Sequence, residues 1–208
     1  MKNGALFFLG VFGAIALSWG GVVLASSHQI SKIQPYYDTL ESQFYPYKQA
    51  GIAAEGEQVY KSMGCAACHT QEVRRPGLGY DDLRGWGKRQ SVARDYIYES
   101  TPPLGELRRG PDLTNFGPRA VKLGLDETHL LTQLYLGSAG MPPYRFLFER
   151  QKVIGEPLST ALPINAGPGY QIIPSYHAKA LVAYLLSLKQ DYVYPEAQPL
   201  EPAKEGTN

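Results

Sequence analysis

The hydrophobic pattern divides the chain into one unbroken apolar run and a longer remainder in which helical periodicity surfaces only in short stretches. From Ala5 to Ala25 the residues read ALFFLGVFGAIALSWGGVVLA, without a charge. At 1.5 Å per residue such a run covers about 31 Å, enough to cross a bilayer core of about 30 Å. It reads as a membrane span or a signal peptide: Val23-Leu24-Ala25 resembles a cleavage site and Lys2 a positive leader. The run exceeds the roughly 7 to 15 residues of a signal core, which favours a retained anchor. Tyr36 and Tyr37 follow, either as aromatic anchors at the outer interface or as ordinary residues of a Pro-containing connector.

Three later stretches carry the 3.6-residue period. Ile52 to Met63 places Ile52, Val59, Tyr60 and Met63 on its apolar positions, with Glu55 and Glu57 in its first turn. Asp126 to Gly137 has an N-cap residue, then Leu130, Leu131, Leu134 and Tyr135, and a glycine to close it. His177 to Gln190 repeats Leu181, Val182, Tyr184, Leu185 and Leu188 as an amphipathic helix. Gln71 to Gly110 breaks into Gly, Pro, Arg and aromatic residues, with a short helix expected over Ser91 to Tyr98. Phe146 to Pro174 shows no sustained period and is expected as an ordered surface loop. The pattern predicts a mainly α chain: an anchor over 1–33, a connector over 34–50, a domain with long loops over 51–190, and an acidic, Pro-rich tail over 191–208, extended or disordered.

The 208 residues have a net charge of +1 and are 44% hydrophobic, which suits one globular domain with one appendage and offers no reason for nucleic acid as a partner. Fifteen Tyr, 22 Gly and 16 Pro point to a loop-rich domain packed on aromatic rings. The basic residues crowd into one region, as Arg74, Arg75, Arg84, Lys88, Arg89, Arg94, Arg108 and Arg109. Most are expected to be a solvated face balanced by nearby carboxylates, with one or two free to neutralise an anionic group or an acidic partner surface.

Only two cysteines are present, and both lie in Cys65-Ala66-Ala67-Cys68-His69. C-x-x-C-H is the attachment pattern of c-type haem. In one helical turn the residues at i, i+3 and i+4 share a face, so two thiols reach the vinyl groups while His69 comes up under the iron. A dithiol needs no histidine after its second cysteine, and a zinc cage needs more thiolates or paired histidines. A disulfide framework is excluded by the count. The second iron ligand is expected to be Met141, which follows a helix end and precedes Pro142-Pro143. Met63 lies on the proximal side. His129 and His177 are the competing ligands, and either gives bis-histidine coordination with a lower potential.

These pieces together resemble class I cytochrome c. The run Cys65 to Thr70, then Gln71, Arg74, Pro76, Ser91-Val92-Ala93, Tyr98, Arg109-Gly110-Pro111-Asp112-Leu113 and Met141-Pro142 is similar to the membrane-anchored mono-haem subunit II of cbb3-type cytochrome c oxidase. The resemblance implies that Pro111 accepts a hydrogen bond from the non-ligating nitrogen of His69. It implies a non-catalytic electron-transfer subunit with one covalent haem c. Electrons come from a soluble cytochrome c or another cytochrome c subunit and go toward a haem-copper catalytic subunit. Haem attachment takes place outside the bacterial inner membrane, so the expected arrangement is single-pass with the carboxy-terminal domain in the periplasm. The chain departs from the family at Gly87-Lys88-Arg89-Gln90-Ser91, where the family has Gly-His-Tyr-Ser, and in the length of its Phe146 to Pro174 stretch. The cytochrome c subunit of a nitric oxide reductase, a stand-alone tethered shuttle, and a haem enzyme or gas sensor with an open distal position are the alternatives.

Overall fold

A computed structural model describes residues 3–75, 77–138 and 140–199. Lys2, Pro76 and the end of the tail from Leu200 lie outside the described residues. The chain forms two compact units, Met1–Pro46 with Ala93–Ile97, and Tyr47–Val92 with Tyr98–Asn208. Helix accounts for 41% and strand for 10%, so the chain is mainly α.

In the first unit one helix runs over Gly4–Ser31, with none of its apolar window buried. It consists of α1 (Gly4–Ser18), a π-helical stretch (Trp19–Leu24) and α2 (Ala25–Ser31). A helix that is apolar on every side has no preferred face toward a protein core, which is the pattern of a lipid-facing segment. At 28 residues it is about 42 Å long, more than the span requires. A short antiparallel hairpin follows, β1 (Tyr36–Asp38) and β2 (Gln43–Tyr45). Arg94, in the 3₁₀ turn Ala93–Tyr96, donates to the carbonyl of Gln34. A short helix was expected over Ser91 to Tyr98, and only this turn forms.

The second unit is built on two helices, α3 (Gly51–Ser62) and α6 (Tyr176–Ser187). A Cβ at Gly56 would lie 1.9 Å from the carbonyl oxygen of Ala180, so glycine there lets the two backbones come together. Tyr60 and Tyr184 meet at this crossing with ring centroids 5.4 Å apart. α5 (Glu127–Leu136) brings buried Leu130, Leu131 and Leu134 to the same core, with Asp126 as N-cap accepting from the His129 amide at 2.8 Å. Ser175 caps α6 in the same way, through Ala178.

Three departures from the pattern have physical causes. α4 (Phe116–Lys122) is unannounced because Gly117 and Pro118 resemble breakers. Pro in a first turn loses no helical hydrogen bond, and Gly117 allows its own N–H to reach the Leu188 carbonyl at 3.0 Å. Phe146 to Pro174 contains a hairpin, β3 (Phe148–Lys152) with β4 (Tyr170–Pro174), in the register Phe148↔Pro174 to Lys152↔Tyr170. β3 is polar after Phe148, so it gives no alternation to read. The first part of the tail is packed: Tyr192, Tyr194 and Ala197 are buried. Arg89 donates to the Tyr192 carbonyl at 2.6 Å, with its guanidinium 5.2 and 4.7 Å from the two tyrosine rings. The Lys-Arg-Gln departure at positions 88 to 90 therefore supplies an anchor for the tail, a use that neither segment reveals separately.

Candidate haem site

α3 ends in an ordinary α turn, Met63 N–H to Val59 carbonyl at 2.9 Å, and Gly64 then turns the chain with φ +68°. Glycine takes this left-handed conformation without the steric cost of a side chain. Cys65–Ala67 forms a 3₁₀ turn rather than a full α turn. The Cys65 carbonyl accepts from both the Cys68 amide, at 3.2 Å, and the His69 amide, at 2.9 Å, and this shared acceptor keeps all three functional side chains in one tight turn. Burial pushes the Cys65 thiol up to about 11.

The segment Arg109 to Leu113 lies alongside this turn. Gly110 N–H donates to the Cys68 carbonyl at 3.0 Å and Leu113 N–H to the Thr70 carbonyl at 2.9 Å. Between them, His69 Nδ1 lies 3.0 Å from the Pro111 carbonyl oxygen. A carbonyl can only accept, so Nδ1 is the donor of this contact and Nε2 is the ring nitrogen left to meet a ligand. A Cβ on Gly110 would stand 2.1 Å from Cε1 of His69, which is why no larger residue fits against this ring. Asp112, fully buried, accepts from the amides of Glu72 at 2.9 Å and Thr114 at 2.8 Å, while Arg119 donates to its backbone carbonyl. Burial raises its carboxyl above the ordinary range against the pull of these bonds.

Met141 is fixed by a reciprocal pair, Ser138 N–H to its carbonyl at 3.1 Å and its own N–H to the Ser138 carbonyl at 2.9 Å. Tyr144 N–H then returns to Leu134 of α5 at 2.8 Å. Cys65, Cys68, His69, Pro111 and Met141 line one cleft of about 280 Å³, walled by Leu113, Leu130, Leu134 and Leu181. His129 and His177 are exposed and line no part of it; His129 Nδ1 instead lies 2.9 Å from Asp126. Met63 is also absent from its walls.

Within the basic cluster, Arg109 lines the cleft. Arg108, its neighbour, is held at 2.6 Å by Asp81 and at 3.1 Å by the Glu72 carbonyl. Three residues of this site went unrecognised in the chain: Tyr60 donates to the His69 carbonyl, and Gln71 Nε2 donates to the Tyr184 hydroxyl at 2.9 Å. Burial pushes both phenols well above their ordinary value. Tyr60 and Tyr184 leave only helical spacing in the sequence, which marks them as core, and Gln71 stands in the run of motifs with no role attached to it.

The donor set suits a haem: two thiols, an imidazole of fixed tautomer and a thioether, between leucine walls with one arginine at the rim. Among the described residues no group of three or more His, Cys, Asp and Glu side chains is placed to hold a metal ion.

A family model described as cytochrome C oxidase, mono-heme subunit/FixO matches residues 2–171. The chain belongs to this family. It is thereby a haem-bearing, electron-transfer cytochrome c subunit of a cbb3-type oxidase. No curated protein matches the chain. The family match takes in the helix Gly4–Ser31 and the cleft residues from Tyr60 to Tyr144, ends within β4, and leaves out α6, whose Leu181 also walls the cleft.

Proposed function

We propose that this subunit holds one haem c covalently and relays electrons to a haem-copper catalytic subunit. In this reading it is anchored by Gly4–Ser31 in the bacterial inner membrane with its cleft-bearing unit in the periplasm. The observation that carries the reading is the convergence of Cys65, Cys68, His69, Pro111 and Met141 on a single cleft. Bound haem c supplies a one-electron ferric–ferrous couple.

The chain's residues then have defined tasks. Cys65 and Cys68 form the thioethers. His69 would offer Nε2 to the haem iron, while Pro111 holds the ring through Nδ1. Met141 would offer its thioether sulfur as a second ligand to the group, which would favour the reduced state. Arg109 pairs with a propionate. The leucine walls keep water from the ring, lowering the local dielectric and with it the reorganisation that each electron transfer demands. A soluble cytochrome c, or another cytochrome c subunit, serves as donor.

The test is purification from the native membrane with the subunits identified, and haem staining of the denatured chain. Haem that stays on the 22.9 kDa chain, together with a copper-containing catalytic partner, is the expected result. Haem released on denaturation, or a partner with non-haem iron, contradicts it.

A further inference from the structure

The hairpin that follows the long helix is inside out for a protein in water. β1 and β2 pair as Tyr36↔Tyr45, Tyr37↔Phe44 and Asp38↔Gln43. Successive side chains alternate between faces, so Tyr36, Asp38, Gln43 and Tyr45 share one face and Tyr37 and Phe44 the other. Tyr45 is 2% exposed, whereas Tyr37 is 45% and Phe44 60% exposed, with ring centroids 4.9 Å apart. Antiparallel sheets with one wet face ordinarily put polar residues there. Here the outward face is made of two aromatic rings, while Asp38 and Gln43 lie on the other face beside Tyr36 and Tyr45.

The tip is equally unusual. Leu40 is 94% exposed, and the chain holds it there: Asp38 Oδ1 accepts from the amides of Leu40 at 2.7 Å and Glu41 at 3.2 Å, and the Tyr45 hydroxyl donates to the Glu41 carboxylate. The two acidic groups nearest the tip are thus engaged within the hairpin. The exposed apolar group is built into the turn, as an exposed patch with a partner is.

Its position indicates the partner. Helix Gly4–Ser31 ends five positions before Tyr36, and a chain of that length reaches at most about 18 Å. Lys32 and His28 flank the helix end. Tyr and Phe at the water boundary of a span, with basic residues beside them, are the composition that membrane interfaces select.

We propose that the hairpin Tyr36–Tyr45 is a second membrane contact, seating Tyr37, Phe44 and Leu40 in the headgroup layer of the leaflet from which the chain emerges. The inference rests on reading Gly4–Ser31 as the membrane anchor. Two points of attachment stop the helix from turning freely about its own axis, which a lone span does not prevent.

The haem-loaded full chain, in nanodiscs of phosphatidylethanolamine and phosphatidylglycerol, tests this by nitroxide depth measurement. Labels are placed singly at Leu40→Cys, at Phe12→Cys within the apolar run, and at Ile154→Cys, 91% exposed. Collision with oxygen relative to a water-soluble nickel chelate is then compared. Leu40 is expected to show a ratio several-fold above Ile154 and below Phe12. If Leu40 matches Ile154 while Phe12 lies in lipid, the anchor stands and the hairpin inference is overturned. If Phe12 itself is water-accessible, both are overturned. If Leu40 escapes both probes only after assembly with the catalytic subunit, its occupant is a protein and the lipid assignment is wrong.

Discussion

Gly110→Ala is the sharpest test of how this site is organised. The added Cβ would stand 2.1 Å from Cε1, 2.4 Å from Nδ1 and 2.7 Å from Nε2 of His69. Carbon contacts relax at roughly 3.5 to 4.0 Å, so the ring must retreat by more than about an ångström or the loop must open. Either movement breaks the 3.0 Å contact between Nδ1 and the Pro111 carbonyl. Overpacking of this kind costs about 1 to 3 kcal/mol, and the lost hydrogen bond about 0.5 to 1.5 kcal/mol. A loss of about 2 to 4 kcal/mol is therefore expected in denaturant unfolding. Gly105→Ala is the control, because the atoms its Cβ would meet first are backbone atoms, the Ala66 carbonyl oxygen at 2.0 Å and the Thr70 nitrogen at 3.1 Å. Both variants should lose stability, but only Gly110→Ala should also shift the haem spectrum and potential. An alanine at 110 that leaves stability, spectrum and potential unchanged would refute the claim that this loop sets the histidine.

Met141→Ala should keep haem attached, alter the ferric spectrum and lower the potential, while His129→Ala and His177→Ala leave all three as they are; redox titration of the three variants distinguishes the ligands. Cys65→Ala with Cys68→Ala should abolish haem that survives denaturation, read by haem staining of a denaturing gel. Asp112→Asn leaves one of the Glu72 and Thr114 amides without its acceptor, a loss of about 1 to 3 kcal/mol at neutral pH. The pH dependence follows from the raised folded-state pKa of Asp112. Its contribution to stability is fullest below the ordinary carboxylate range and falls as pH rises through the folded value, so the wild type should gain on Asp112→Asn as the solution is acidified. Unfolding free energies that stay parallel across that range would contradict the burial of this carboxyl.

The residues that were legible in the chain are those whose role depends on local spacing. The Cys65 to His69 motif, the Asp126 cap and Gly137 stop of α5, and the apolar stripe of α6 each declare themselves within a dozen residues. The contact between His69 and Pro111 crosses 42 positions, and only the order of motifs along the chain suggested it. What stayed hidden depends on partners far away in sequence. α4 exists because Gly117 admits the carbonyls of Leu186 and Leu188; a glycine followed by a proline otherwise reads as a break. β3 carries Glu, Arg, Gln and Lys on a strand whose single buried residue is Phe148. Tyr192 and Tyr194 sit in an acidic, Pro-rich setting, and their burial depends on Arg89 about a hundred residues earlier.

The paired segments Cys68 to Glu72 and Gly110 to Thr114 have a consequence for how such a chain can change. Hydrogen bonds between Cys68 and Gly110, Thr70 and Leu113, and Glu72 and Asp112 close the intervening stretch at its base. The cost of closing a flexible loop grows only with the logarithm of its length, about 0.6 kcal/mol for each doubling. The number of residues between those ends can therefore change for little, provided the clasp is kept along with the contacts that Asp81, Arg89 and Arg108 of this stretch make. The imidazole keeps its carbonyl partner because the clasp, and not the length of the excursion between its ends, sets the distance between the two segments.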